Sequence, residues 1–260
     1  MTLDAGYNPK VTGVEVAGRL EMFLLDAAVS GFSGVALAAV AGDIVLHGAY
    51  GVADRQRLLP VTTATLFDTG SVCKLFTAAA ILKLQEGGSL SVGDNISNFI
   101  EGVPEDKTAI TIHHLLTHTS GMHLYSGDDD ELIARDDMVR RVMATGLQWP
   151  PGEKYRYSNP GYGLLGVILE NITGQRYESY LQEHFFGPAG MTRTGYIIPN
   201  WDRERATRGY EDDEDQGNPL DVQWLPDGPG WNIRANGGML STAEDLLQVA
   251  PRLVWRPPSV

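Results

Sequence analysis

Asp68-Thr69-Gly70-Ser71-Val72-Cys73-Lys74, running directly into Leu75-Phe76-Thr77-Ala78-Ala79-Ala80-Ile81-Leu82-Lys83-Leu84, is the stretch on which the reading of this chain turns. From Ser71 onward the residues are apolar almost all round and are good helix formers, and the run stops at Gly87-Gly88. That pattern predicts a buried helix with Ser71 on its first turn, closed by a C-terminal glycine. The three-residue spacing places Lys74 on the face of Ser71, within reach of the serine oxygen. Orphan backbone N–H groups and the positive end of the helix can stabilise a developing oxyanion. Gly70 would let a substrate approach the backbone, and a lysine on a greasy helix should be desolvated and able to accept a proton. Ser-x-x-Lys alone is a weak signal, because a helix-start serine and a snorkelling lysine produce the same letters. The rest of the chain has to decide.

Working outward, 260 residues suffice for a substantial core in one large domain or two lobes. A hydrophobic fraction of 43% with 20% charged residues describes a globular protein. The net charge of −13 would repel a nucleic-acid backbone or an anionic membrane, so neither is expected as a partner. Residues 1–7 have neither a basic segment nor an apolar one, and no run is long enough to span a bilayer, so the chain as written reads as cytoplasmic. A mature secreted form would look the same. The single cysteine, Cys73, excludes an intrachain disulfide and, pointing off the Ser71 and Lys74 face, reads as buried filler.

Before the Ser71 helix, residues 14–29 carry Val16, Leu20, Phe23, Leu24 and Ala27 at helical spacing, predicting an amphipathic opening helix. Residues 33–40 and 44–50 flank Ala41-Gly42-Asp43 as a hairpin. After Gly88 the character is helical, with residues 131–145 closing at Gly146, a helix led by Pro160, and residues 175–186 stopped by Gly187-Pro188. Gly161, Gly163 and Gly166 read as close helix packing. Glu211-Asp212-Asp213-Glu214-Asp215 reads as a solvated loop, and Ser241-Thr242-Ala243-Glu244 as a capping box for a last helix through Val249.

The second informative stretch is Trp149-Pro150-Pro151-Gly152-Glu153-Lys154-Tyr155-Arg156-Tyr157-Ser158-Asn159-Pro160. It places Tyr157 and Asn159 on a constrained loop between helices. A tyrosine with a pKa of about 10 is a poor base at neutral pH. Beside a lysine cation its phenolate is easier to reach, so Tyr157 and Lys74 could jointly deprotonate Ser71. The plainer roles are a core ring for Tyr157 and, for Asn159, a cap on the Pro160 helix. His114 and His118 have the four-residue spacing of a zinc helix, but no glutamate follows His114, and His113, His114, His118 and His123 are read as structural. Trp149, Trp224 and Trp231 could line an acyl pocket, with packing the bland alternative.

Several further stretches complete a pattern: Gly48-Ala49-Tyr50-Gly51-Val52-Ala53-Asp54, Leu115-Leu116-Thr117-His118-Thr119-Ser120-Gly121, Pro151-Gly152, Tyr155-Arg156-Tyr157-Ser158-Asn159-Pro160-Gly161-Tyr162, Gly190-Met191, and Gly237-Gly238-Met239-Leu240-Ser241-Thr242-Ala243-Glu244-Asp245-Leu246. With the Ser71 stretch, in this order and spacing, they resemble the serine beta-lactamase-related family of class C beta-lactamases, D-alanyl-D-alanine carboxypeptidases and family VIII carboxylesterases. The resemblance implies a mixed α/β (α+β) fold of the beta-lactamase/transpeptidase type, an antiparallel sheet flanked by helices with an inserted all-helical lobe. Residues 1–75 with 205–260 would form the sheet-and-helix lobe, and residues 76–204 the helical lobe.

Carried over residue by residue, the resemblance makes Ser71 the acylated nucleophile, Lys74 and Tyr157 its proton-transfer partners, and Asn159 a substrate-contacting or supporting residue. The implied reaction is two-step acyl transfer on a small ester or amide with no metal or organic cofactor. Members of the family also carry a Lys-Thr-Gly, His-Thr-Gly or Trp-Gly-Gly motif on a later strand that supplies an oxyanion donor. Arg193-Thr194-Gly195 resembles it in letters only. Without those later strands the hairpin of residues 33–50 would have an unpaired edge. A fragment of a longer chain, a homo-oligomer that completes the sheet and a non-catalytic acyl-binding relative all stay open. The expectation from the paired motifs is a serine hydrolase, slightly favouring a carboxylesterase over a beta-lactamase or carboxypeptidase.

Overall fold

The computed structural model describes residues 13–198, 200–211 and 213–249. Residues 1–7, whose composition bore on localisation, and the Trp255 to Val260 ending lie outside the described residues. Among the described residues no helix is long and apolar enough to cross a membrane.

The chain opens with helix α1 (Gly13–Val29), which lies on the hairpin of β1 (Gly34–Val40) and β2 (Asp43–Tyr50). Ala41 and Gly42 both have positive φ, 52° and 96°, the two-residue turn whose twist matches an antiparallel pair. The expected opening helix therefore forms, but none of its residues is fully buried, and Phe23 faces outward. This sheet has two strands, so both outer edges of the hairpin are unpaired among the described residues. Two short strands, β3 (Val52–Asp54) and β4 (Leu59–Pro60), pair next. Strand β5 (Phe67–Asp68) then delivers the chain to a 3₁₀ turn, Gly70–Val72, which runs into α2 (Cys73–Glu86).

Helix α2 is less uniformly buried than its composition predicts. Cys73, Phe76, Thr77, Ala80, Ile81 and Leu84 are buried, while Val72 in the preceding turn and Leu75 and Leu82 face outward. Ser71 belongs to the tighter turn rather than to the helix itself. Gly87 and Gly88 end the helix as expected.

Three more helices, α3 (Ile112–Leu116), α4 (Arg135–Ala144) and α5 (Asn159–Thr173), assemble with α2. Helix α5 is the centre of the core: every residue from Pro160 to Leu169 is buried, and α2, α3 and α4 all pack on it. A Cβ on Gly166 would lie 2.7 Å from the Cβ of Ala235, and one on Gly163 would lie 3.3 Å from Met138. Gly161 has ordinary clearance, so two of the three glycines allow close packing.

The helix expected over residues 175–186 does not stop at Gly187-Pro188. Helix α6 (Tyr177–Leu181) passes through a wider turn (Gln182–Phe186) into α7 (Gly187–Ala189), and the left-handed Gly190 ends the run. Pro188 falls at a first-turn position, where a missing N–H costs nothing. The acidic run is also no loop. Strands β6 (Gly209–Glu211) and β7 (Glu214–Gly217) form a hairpin, and Asp215 accepts from Arg208 Nε at 2.8 and 3.0 Å. Charge neutralised by a cross-strand arginine offsets the low strand preference of these acids.

Strand β8 (Leu240–Ser241) pairs with β5 and leads to α8 (Ala243–Val249). The cap lies one residue later than the expected box. Thr242 Oγ1 accepts from Asp245 N–H at 3.2 Å, and Glu244 pairs with Arg193. Thr194 of the Arg193-Thr194-Gly195 triplet is buried against Ser241 and Asp245, a packing role consistent with a resemblance in letters alone.

Candidate active site

The turn that carries Ser71 is fixed from both sides. Thr69 N–H and Oγ1–H both donate to Met239 O at 2.8 Å, and Asp68 Oδ1 accepts from Gly70 N–H at 2.7 Å. Gly70 has φ 48° and faces open space, so the left-handed turn, rather than crowding, demands glycine there. Burial holds the Asp68 carboxyl above the usual carboxylate range, against the Gly70 hydrogen bond that lowers it.

Lys74 is 6% exposed, and its ammonium is satisfied by two acceptors. Nζ donates to Asn236 O at 2.6 Å and to Ser71 Oγ at 3.1 Å. Tyr157 approaches from the loop before α5 and places its O–H 2.8 Å from the same Ser71 Oγ. Lys74 Nζ also lies 4.8 Å from the centroid of the Tyr157 ring and 5.7 Å from that of Tyr162. Two proton-carrying groups thus converge on one exposed serine oxygen, and the ammonium faces the aromatic ring that carries one of them. At 2.8 and 3.1 Å either group is close enough to take the Ser71 proton when its own protonation state allows.

Asn159 is placed differently. Ser158, not Asn159, caps α5, accepting from Gly161 N–H at 3.3 Å through its Oγ. Asn159 N–H donates to Leu124 O at 3.0 Å, and its Oδ1 is buried without a hydrogen-bond partner. The structure brings Ser71, Lys74 and Tyr157 together, and it makes Asn159 no hydrogen-bond partner of the three.

Behind these side chains lies a buried polar platform. Tyr196 O–H donates to Gly237 O at 2.8 Å and accepts from Ala235 N–H at 3.1 Å, bracketing the residue whose carbonyl holds Lys74. Thr77 Oγ1–H donates to Ala235 O at 2.6 Å and is itself 2.6 Å from Tyr177 O–H. Ala235 has φ 68°, a left-handed conformation that a non-glycine residue adopts only when surrounding contacts hold it. Cys73 is filler in this platform, as expected, with Sγ 3.3 Å from Tyr196 O–H and burial pushing its thiol upward. Glu178 anchors Tyr196 in turn. Its Oε1 accepts from the N–H groups of Tyr196, Ile197 and Ile198, at 2.5, 3.0 and 2.9 Å.

A family model described as Beta-lactamase matches residues 24–258. The chain belongs to the beta-lactamase family. It is 36% identical over 197 residues to the putative penicillin-binding protein PbpX of Bacillus subtilis, covering 76% of this chain and 49% of that protein. It is 32% identical over 178 residues to protein flp of Staphylococcus aureus, covering 65% of this chain and 36% of that one. The chain therefore spans half or less of the length of these relatives. The crystal structure of a penicillin-binding protein from Bacillus halodurans superposes with a TM-score of 0.71 at 31% identity, over 87% of this chain and 70% of that one. The fold is thus the beta-lactamase/transpeptidase-like one, mixed α/β with small antiparallel sheets.

In this beta-lactamase-family chain a cavity of about 140 Å³, lined in part by Asp68, adjoins the Ser71 turn. Asp68, Asp129, Asp130, Trp224, Ile233 and Gly238 contribute to its walls. Burial, followed by the neighbouring Asp130, holds the Asp129 carboxyl above its usual range, while Lys74 pulls it back. Trp224 is therefore a pocket residue, while Trp231 is core, stacked under Arg234. His114 completes a capping box on α3, its Nδ1 accepting from Thr111 N–H at 3.2 Å.

Sequence reasoning missed the Asn236 carbonyl, the Tyr196 bracket and the acidic cavity. A backbone carbonyl carries no residue-type signal, and Tyr196 had only its neighbour Gly195 to draw attention to it.

Proposed function

We propose that this protein is a serine hydrolase that cleaves esters of small acyl groups through an acyl-enzyme on Ser71. The observation that carries this reading is the convergence of Lys74 Nζ and Tyr157 O–H on Ser71 Oγ, at 3.1 and 2.8 Å. In the first step Ser71 Oγ attacks the ester carbonyl carbon while its proton passes to the Lys74 and Tyr157 pair in the form that holds one proton fewer, with a neutral amine or a phenolate as the acceptor. The tetrahedral oxyanion forms beside the first-turn amides at the start of α2. Collapse breaks the bond to the leaving alkoxide, which takes the proton back from the pair. A water molecule, deprotonated by the same pair, then attacks the acyl carbon; the bond from that carbon to Ser71 Oγ breaks, the pair returns the proton to Oγ, and the acid is released.

The preference for an ester rests on the adjoining cavity. Penicillins and peptides ending in D-alanine carry a free carboxylate, and a cavity walled by Asp68, Asp129 and Asp130 opposes a negative group. An uncharged acyl or alkoxy group meets no such opposition and gains contact with Trp224 and Ile233.

Intact-mass measurement of the chain and of Ser71→Ala, after separate exposure to a fluorophosphonate, p-nitrophenyl butyrate and a fluorescent penicillin, tests the reading. The expected result is a Ser71-dependent adduct with the first two reagents, ester turnover, and weak labelling by the penicillin. Preferential penicillin labelling would assign a beta-lactamase or carboxypeptidase instead. A folded chain that forms no adduct with any reagent would indicate an acyl-binding relative.

A further inference from the structure

His118 lies where a helix would ordinarily end in glycine. It follows the end of α3, donates its N–H to Leu115 O at 3.3 Å, and has φ 57°. Histidine tolerates this left-handed conformation better than bulkier or β-branched residues do, but glycine adopts it without cost. The local backbone therefore gives no reason for a side chain at this position, and the contacts of that side chain do.

Those contacts surround Tyr157. His118 O accepts from Arg156 N–H at 2.8 Å, and His118 Nδ1 accepts from Ser158 N–H at 3.2 Å. Between these two bonds the imidazole stacks on the Tyr157 ring, with centroids 4.3 Å apart and planes 31° from parallel. Residues 156, 157 and 158 are thus each held by one histidine. Tyr162 from α5 stacks on the same imidazole at 5.0 Å, and Tyr155 meets it edge-on at 5.9 Å. The groups that face it are Tyr155 and Tyr157 from the loop, Tyr162 from α5, and the Lys74 ammonium from α2 through its field.

We propose that His118 is the positioning residue of Tyr157, aiming its phenol at Ser71 only while the imidazole is neutral. The proposal rests on the hydrolase reading above. An imidazole that accepts at Nδ1 carries its proton on Nε2, and a second proton must go to Nδ1. Protonation replaces the acceptor facing Ser158 N–H by a donor, so the bond becomes a clash of two N–H groups. It also sets a second cation beside Lys74. Burial, and then Lys74, hold the imidazole below the ordinary histidine range, which keeps the clamp closed at neutral pH. Acid opens it: the phenol is held above the folded-state pKa of His118 and released as pH falls through it, below about 6.5.

Two measurements on the full chain test this. The first follows the Ser158 amide and the Tyr157 ring by NMR from pH 4.5 to 8.5, in the wild-type protein and in His118→Asn, which tolerates the left-handed backbone but cannot titrate. The second measures kcat and KM for p-nitrophenyl butyrate over the same range in the wild type, His118→Asn, His118→Phe, and each of these combined with Tyr157→Phe.

The proposal expects the Ser158 shift to titrate with His118 in the wild type and to be flat in His118→Asn. It also expects a kcat loss of about tenfold to a hundredfold in the single variants, KM within about twofold, and no acid limb from this group. In the Tyr157→Phe background either His118 change should add less than about twofold, because its effect passes through the phenol. A Ser158 amide indifferent to pH, an unchanged acid limb, or an equal loss with and without the Tyr157 hydroxyl overturns the proposal while leaving the hydrolase reading intact. Absence of any Ser71-dependent turnover in the wild type overturns the hydrolase reading and the positioning role together. Melting temperatures of the variants identify any loss that comes from unfolding.

Discussion

The front and the back of the Ser71 site are built by opposite means. At the front, Ser71 from the turn before α2, Lys74 from α2 and Tyr157 from the loop before α5 meet at one exposed oxygen, and of the three Lys74 is the one whose side chain is buried. At the back, Tyr196, Tyr177, Thr77 and the backbone at positions 235–237 form a buried hydrogen-bonded platform that reaches the front through the Asn236 carbonyl under Lys74. The difference separates chemistry from position. Changes at Ser71 and Tyr157 should cost rate and spare stability, whereas changes at the back should cost stability and reach the rate through Lys74.

The comparison breaks most visibly at Ser71. Ser71→Ala should lower ester turnover by a factor on the order of 10⁴ or more, and the exposed position should leave the melting temperature nearly unchanged. A matching loss of melting temperature would show that the front also bears structure. Tyr157→Phe comes next, with a kcat loss of about 10²- to 10⁴-fold for removal of one proton-transfer group, read from steady-state kinetics beside a thermal melt. If the loss were under about threefold, the phenol would be a ring and no more.

At the back, Tyr196→Phe keeps the ring and removes both hydrogen bonds that bracket Asn236. Two buried backbone groups lose a partner, and denaturant unfolding should show a loss of about 1–3 kcal/mol. Turnover should fall by about tenfold because the Lys74 acceptor shifts. Equal activity with reduced stability would show that the Asn236 carbonyl keeps its place without the bracket.

The smallest effect is a pH dependence. Burial raises the Glu178 carboxyl above its unfolded value, despite the three N–H groups that stabilise the anion. In the window above about 4.5 the folded state therefore binds more protons than the unfolded one, and this group's contribution to stability falls as pH rises through the folded pKa. Glu178→Gln should flatten that decline in melts taken from pH 4.5 to 7. An unchanged slope would place the carboxyl outside the platform's energetics.

The front was legible because its signals are local. Ser71 and Lys74 are three residues apart in a run whose composition makes a helix, and Tyr157 precedes a first-turn proline that announces another. Their roles follow from spacing and residue chemistry as possibilities, which the resemblance makes specific. The errors share a cause as well. Glu211 to Asp215 read as a loop because propensity ignores Arg208, and Gly187-Pro188 read as a stop although a proline at a first-turn position starts a helix as readily as it ends one. Asn159 has the residue type of a helix cap, the plainer of its two roles, but the hydroxyl of Ser158 provides that bond.

By itself the sequence determined the hairpin of residues 33–50, the α2 helix with Lys74 one turn from Ser71, the Pro160 helix and the family. The three elements follow from periodicity or from short-range spacing, and the family from a resemblance in the order of motifs along the chain. Only the tertiary structure decided that Tyr157 reaches across 86 positions to the same oxygen, that Asn236 O holds Lys74, and that a histidine just after α3 stacks on the Tyr157 ring and bonds the backbone on either side of it. Those contacts depend on how α2, α3 and α5 pack, and in two of them the partner is a backbone group, whose position is set by the whole fold and not by the side chain attached to it.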